Sequence, residues 1–274
     1  MSNRIKEEFL QKSEPVRLNK YLSEAGVCSR READRLIETG RVTVDGQRAQ
    51  TGMRIVPGQV VKVGNKVVSK QDEMIVLAVN KPRGIVCTEE RRERDSIVRF
   101  LNYPVRVTYI GRLDKDSHGL LLMTNNGDII NKMMRAANKH EKEYKVTVDK
   151  EITEDFLKKM AAGVPILDTV TRPCTVKKIG KYTFSIILTQ GLNRQIRRMC
   201  EALGYEVKDL LRVRVMNITL DGLKGGQYRK LTDQELNELY DQLKDSSALP
   251  GGKYQEQWAA TQDNRTRQGK GKKR

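Results

Sequence analysis

Four short apolar runs set the limits on what this chain can fold into. Ile75-Val76-Leu77-Ala78-Val79, Leu120 to Met123, Phe184-Ser185-Ile186-Ile187-Leu188 and Val213 to Ile218 read as strands buried in a sheet. Between and after them lie stretches of helical spacing at Thr153 to Ala162, Arg194 to Leu203 and Asp233 to Leu243. Strands and helices do not alternate strictly, so the pattern predicts an α+β domain on a mixed, largely antiparallel sheet rather than a doubly wound one. This domain is expected to span residues 75–243.

A smaller module precedes it. Leu18, Tyr21 and Leu22 recur at helical spacing, and Gly26 stops that helix. Ser29 with Glu32 three residues on is a capping-box signature for a second helix, whose apolar face is Ala33, Leu36 and Ile37 and whose end is Gly40. Val42-Thr43-Val44, Asp45-Gly46 and Gln47-Arg48-Ala49 read as strand, turn and strand, with a further strand around Val60 to Val63. The module is expected over 16–64, joined to the larger domain by a linker over 65–74. Residues 1–15 are polar and expected to be disordered, and 244–274 are expected to form a Gly-, Gln- and Lys-rich flexible basic tail with Trp258 as a weak contact point.

Charge narrows the function. The 274 residues carry 52 Lys and Arg against 35 Asp and Glu, a formal net charge of +17. Such a field draws a protein toward polyanions. Membrane is the weakest of the candidates, because no apolar run approaches the roughly 18–20 residues that span a bilayer. Cys28, Cys87, Cys174 and Cys200 are scattered, and neither His118 nor His140 lies near one. That argues against a zinc site or disulfide framework and for thiols in a reducing cytoplasm. There is no Walker loop and no dinucleotide-binding glycine pattern, so no cofactor is expected.

The small module concentrates the positive charge: Arg17, Lys20, Arg30, Arg31, Arg35, Arg41 and Arg48 fall on its helix pair and hairpin. A solvated helix face is the plain alternative. R-L-N-K-Y-L-S-E-A-G followed by S-R-R-E-A-D-R-L-I-E-T-G-R-V-T-V-D-G resembles an S4 domain over roughly residues 16–64. That resemblance implies binding of structured RNA through the paired helices and the turn after them.

In the larger domain, Gly111-Arg112-Leu113-Asp114 leads through a polar loop into the run Leu120 to Met123. Local chemistry alone favours an ordinary turn, with Asp116 or Ser117 bonded to its own backbone, over a carboxylate presented at a cleft edge. The whole stretch, G-R-L-D-x-x-S-x-G-L-L-L-x-T-N, is similar to the signature of the pseudouridine synthases of the RsuA group. Asn80-Lys81-Pro82-Arg83-Gly84, Glu143-Tyr144-Lys145-Val146 and Gly191 to Met199 resemble further segments of that family, in the same order. Ser117 stands where Thr is more usual, and Asn126 where Asp is. The resemblance covers roughly residues 16–243 and implies isomerisation of a uridine in RNA. Asp114 would be the catalytic carboxylate and Tyr144 the ring that stacks on the extruded uracil. Arg197 is the cation expected to pair with Asp114 and keep it ionised. Arg194 and Arg198 are the alternatives for that pairing, otherwise phosphate contacts, and Arg112 is expected to help extrude the base. The RNA implied is ribosomal RNA of the large subunit, with a tRNA stem-loop as the other substrate to consider, and a monomer suffices. A non-catalytic RNA-binding or ribosome-assembly protein is the main rival. It fits the S4-like module equally well but has no use for a carboxylate in a basic cleft. An RNA methyltransferase would need a glycine-rich cofactor loop that the sequence lacks.

Overall fold

The computed structural model describes residues 15–69, 74–90, 92–135 and 138–246. The expected disordered segment, apart from Pro15, and the basic tail from residue 247 on, Trp258 included, lie outside the described residues.

The N-terminal module runs β1 (Val16–Arg17), α1 (Leu18–Glu24), α2 (Arg30–Glu38), β2 (Val42–Val44), β3 (Gln47–Arg48), β4 (Arg54–Ile55), β5 (Val61–Val63) and β6 (Lys66–Val67). Ser29 caps α2 by accepting from the Glu32 backbone N–H at 3.3 Å, which supplies a donor that the first helical turn leaves open. Leu18, Leu22, Ala33, Ile37, Val42, Val44 and Val61 converge on one buried core. Its sheet has the order β3-β2-β5-β6. The chain expected as a linker from residue 65 begins with β6, and Val68 is buried in the module core. The Tyr21 hydroxyl donates to the Val68 carbonyl at 3.0 Å. Two isolated Val residues in a polar stretch give too little periodicity to signal that last strand.

The second domain continues with β7 (Val76–Lys81), α3 (Ile97–Leu101), β8 (Thr108–Ile110), β9 (His118–Thr124), α4 (Gly127–Met134), β10 (Lys142–Val148) and α5 (Glu154–Ala162). It then runs β11 (Pro165–Ile166), β12 (Thr169–Val170), β13 (Thr175–Lys178), β14 (Thr183–Leu188), α6 (Gln195–Ala202), β15 (Val207–Val215), β16 (Ile218–Thr219), β17 (Tyr228–Lys230) and α7 (Asp233–Leu243). Among the described residues its main sheet has the order β13-β14-β10-β15-β9-β7-β17, with β8 and β16 paired at the side. Every pairing is antiparallel except β15 with β9. The fold is therefore α+β on a mixed, mainly antiparallel sheet, as the sequence pattern predicts.

β7 and β9 are covered on both faces, which is why their sequences are unbroken apolar runs. Val76, Ala78, Leu120 and Leu122 face α4 and α7 in one core. Leu77, Val79, Leu121 and Met123 face α3 and the buried Leu113 in another. A third core packs Phe156 and Met160 of α5 and Met199 and Cys200 of α6 against Val146, Phe184 and Ile186. The expected strand from Val213 to Ile218 is not continuous. β15 starts earlier, at Val207, and the chain reverses at Met216 and Asn217 before β16. Met216 takes the left-handed φ of 53° that such a tight reversal needs. A methionine in that position gives no turn signal.

Candidate active site

The turn carrying Asp114 joins β8 to β9 and is tethered on all sides. Leu113 buries its side chain. The Ser117 backbone N–H donates to the Asp114 carbonyl at 3.1 Å, and the Gly84 N–H donates to the Lys115 carbonyl at 2.8 Å. Lys81 is fully buried beneath the turn and donates to the Ser117 carbonyl at 2.8 Å and the Pro82 carbonyl at 2.9 Å. Burial pushes its ammonium pKa down. Gly119 ends the turn at φ +104°, where an added Cβ would strike the Arg212 carbonyl oxygen and lie 2.7 Å from the Leu211 side chain. Only glycine permits β9 and β15 to approach so closely there. The result is a rigid loop with the Asp114 carboxylate about one-third exposed, facing a cleft of about 770 Å³.

The same cleft is lined by Tyr144 from β10, by Arg212 from β15 and by Arg194 and Arg197 at the start of α6. Tyr144 is half-buried between two cores. The pairing of cations differs from the expectation. Arg194, not Arg197, reaches Asp114: its Nη1 lies 3.4 Å from Asp114 Oδ2 and 3.4 Å from Asp116 Oδ1. Arg197 turns to the next carboxylate, 3.2 Å from Asp116 Oδ2, and also donates to the Asp116 carbonyl and to Ser117 Oγ at 3.4 and 3.3 Å. The physical reason is backbone geometry. Arg194 precedes α6 in the left-handed region, at φ 50°, which takes its side chain off the helical register that sequence spacing assumes. Burial alone pushes the Asp116 carboxyl up, but Arg197 and Arg194 outweigh it and hold its pKa below the ordinary carboxylate range. Arg198 donates to the Asn193 carbonyl and side chain at 3.1 and 3.3 Å.

Lys81, Lys142 and Arg212 belong to the site without being singled out in the sequence. Lys81 sits in the Asn80-Lys81-Pro82-Arg83-Gly84 segment, where nothing in the spacing marks it as buried. Lys142 and Arg212 line the cleft floor beside Tyr144. Lys142 stands two residues before Tyr144 on a strand, a spacing that puts both on one face. That alternation is the one signal that could have found it. The two departures at the motif are also explained. The Ser117 hydroxyl accepts from Arg197, and Asn126 caps α4 by accepting from the Asp128 and Ile129 N–H groups at 2.9 and 3.3 Å.

Of the basic residues on the small module, Arg17, Arg30, Arg31, Arg35 and Arg41 are exposed. Lys20 is not free to face solvent. It bridges to the second domain, 2.7 Å from Asp128 on α4 and 3.5 Å from Glu24. Arg112 is exposed at the cleft mouth. Among the described residues no helix is long and apolar enough to cross a membrane.

The family model for RNA pseudouridylate synthase matches residues 75–202, and that for the S4 domain matches residues 16–61. Dual-specificity RNA pseudouridine synthase RluF of Escherichia coli strain K12 is 57% identical over 235 residues, covering 85% of this chain and 81% of the relative. Ribosomal large subunit pseudouridine synthase B of Bacillus subtilis strain 168 is 35% identical over 232 residues, covering 81% and 95%. A solved structure described as a pseudouridylate synthase superposes with a TM-score of 0.61 at 27% identity, over 82% of this chain and 99% of that one. An S4 domain, a mixed-sheet second domain and a carboxylate-bearing cleft in that order place this chain in the RNA pseudouridine synthase family, among the enzymes of RsuA type.

Proposed function

We propose that this pseudouridine synthase isomerises a defined uridine of 23S ribosomal RNA, and a uridine of a tRNA stem-loop as a second substrate, with Asp114 as the catalytic carboxylate. The observation that carries the reading is the convergence of Asp114, Tyr144 and the α6 arginines on one cleft. The names of the relatives, one a dual-specificity RNA enzyme and one a large-subunit enzyme, support the choice of RNA.

The reaction breaks the bond from ribose C1′ to uracil N1 and makes one from C1′ to C5. A proton leaves C5 and another is gained at N1, so the step is a pure isomerisation and needs no redox partner. The target base first leaves its stack, at a cost of a few kcal/mol. Tyr144 offers a ring to stack against in place of the lost neighbours. Asp114 then acts on the extruded nucleotide, as nucleophile at C1′ or at C6 or by assisting glycal formation. Its turn is fixed by Leu113, Lys81 and Gly119, so the carboxylate arrives already oriented. Arg194 bridges Asp114 and Asp116, and Arg197 with Ser117 holds Asp116 in turn. Arg112 at the mouth occupies the space that the base vacates. The exposed arginines of α2 and the chain after it contact phosphates of the folded RNA. The enzyme works as a monomer in the cytoplasm, without a cofactor.

The test is conversion of a short RNA stem-loop by purified protein, followed by mass-spectrometric detection of pseudouridine. Wild-type protein should form it, and Asp114→Asn should form none while binding the RNA within a few-fold of wild type. Equal conversion by both would remove Asp114 from the mechanism.

A further inference from the structure

Deep in the cleft lie two cations that form no ion pair among the described residues. Arg212 is 2% exposed. Its Nε donates to the Leu120 carbonyl at 2.6 Å, but its Nη2 is buried and has no hydrogen-bond partner. Lys142, on the neighbouring strand β10, donates to the His140 carbonyl at 3.1 Å. Both side chains line the cleft with Tyr144 and Asp114. Among the described residues, neither has a carboxylate within ion-pair distance. Burial pushes the Lys142 ammonium pKa down to about 8, and Arg212 beside it adds to the effect. A buried donor without a partner and two like charges held together both cost stability. Such an arrangement persists where a ligand completes it.

We propose that Lys142 and Arg212 form a subsite that takes the O4 carbonyl oxygen of the extruded uracil and stabilises the negative charge that gathers there during the reaction. This rests on the reading of the cleft as the uridine site. When the C1′–N1 bond breaks, its electron pair goes to N1 and spreads onto O2 and O4. If Asp114 instead adds to C6, the charge again falls on a carbonyl oxygen. The subsite therefore serves either route, and its stabilisation is greatest at the charged stage, which lowers the barrier. Its depth argues against a phosphodiester as occupant. A base edge reaches the floor of the cleft while the phosphates stay at the rim, near the exposed Arg194 and Arg112. The subsite also discriminates between bases, because an amine at C4 of cytosine would turn donors toward these cations, whereas the C4 carbonyl of uracil accepts from them.

The test uses the full chain and a stem-loop RNA carrying either uridine or cytidine at the converted position. Lys142→Met should fold with a thermal midpoint no lower than wild type, since it removes a buried charge without a carboxylate partner. It should convert uridine roughly 100-fold or more slowly, the usual loss for a charge-stabilising donor. It should also lose the wild-type preference for binding uridine over cytidine. Lys142→Arg should retain conversion within about tenfold and keep that preference. If Lys142→Met does not fold, Lys142→Gln carries the same comparison, keeping a donor without the charge. Wild-type turnover by Lys142→Met would overturn the proposal. So would equal losses in affinity for both RNAs with a shallower salt dependence, the mark of a phosphate contact. Absence of conversion by wild-type protein would instead count against the uridine reading of the cleft, and the binding preference would still report on the subsite.

Discussion

Asp114 and Arg194 meet at 3.4 Å, a loose ion pair in a site open to water. Such pairs contribute about 0–1 kcal/mol to stability, so the arrangement matters for orientation rather than for holding the fold. Arg194→Met should lower turnover moderately, by roughly tenfold, with little change in thermal midpoint. Arg197→Met should do more, because Arg197 is largely buried and anchors Asp116, the Asp116 carbonyl and Ser117 together. Single-turnover rates for the two variants check this order, and a smaller loss for Arg197→Met would reverse the assignment. Tyr144→Phe keeps the ring and should bind RNA like wild type, while Tyr144→Ala should weaken engagement of the flipped base by roughly 1–3 kcal/mol. Binding of the stem-loop by each variant measures the difference. At this scale the family resemblance singles out Asp114 and Tyr144, and the structure sets both on one cleft. The sequence leaves the partner of Asp114 open between Arg197, Arg194 and Arg198, because one left-handed residue at Arg194 decides it, and an arginine does not announce a positive φ.

The elements that present the site depend on a few backbone positions. Gly119 is the sharpest of them, since β9 and β15 touch at a place where a methyl group would meet the Arg212 carbonyl. Gly119→Ala should destabilise the protein by about 2–4 kcal/mol through strain and steric overlap. It should also disturb the Asp114 turn, which ends one strand residue earlier. Denaturant titration reads the first effect, and an unchanged midpoint would mean that the strands can part at no cost. Asn126→Ala should cost about 1 kcal/mol by removing the cap of α4. Helices α1, α2, α5, α6 and α7 and strands β7, β9 and β14 are legible because their apolar spacing is regular, whereas α3 and α4 carry too short a pattern to be read. Short pieces such as β1, β4, β6 and β16 were not, since two residues carry no period and are fixed only by the strands beside them.

On the scale of the whole molecule, the two domains are not simply tied by a linker. Lys20 of α1 bridges to Asp128 at the start of α4, and Arg106 donates to the Ser23 side chain at 3.2 Å while pairing with Glu89 at 2.8 Å. In the sequence Lys20 is one of a face of basic residues that looks uniform, and only the partner across the gap sets it apart. These contacts set the S4 domain against the strand–helix junction that follows the Asp114 turn. A chain beginning at Met74 should still fold, because each domain buries its own core, but should bind the stem-loop more weakly and with a shallower salt slope. Action of Asp114 on a uridine of 23S ribosomal RNA is tested most directly by pseudouridine mapping of total RNA from host cells that lack this gene and carry either the wild-type or the Asp114→Asn copy. One 23S position, with a tRNA position beside it, should be modified with the wild-type copy and unmodified with the variant. Full modification with both copies, or no difference in 23S RNA between wild-type and gene-deleted cells, would contradict it.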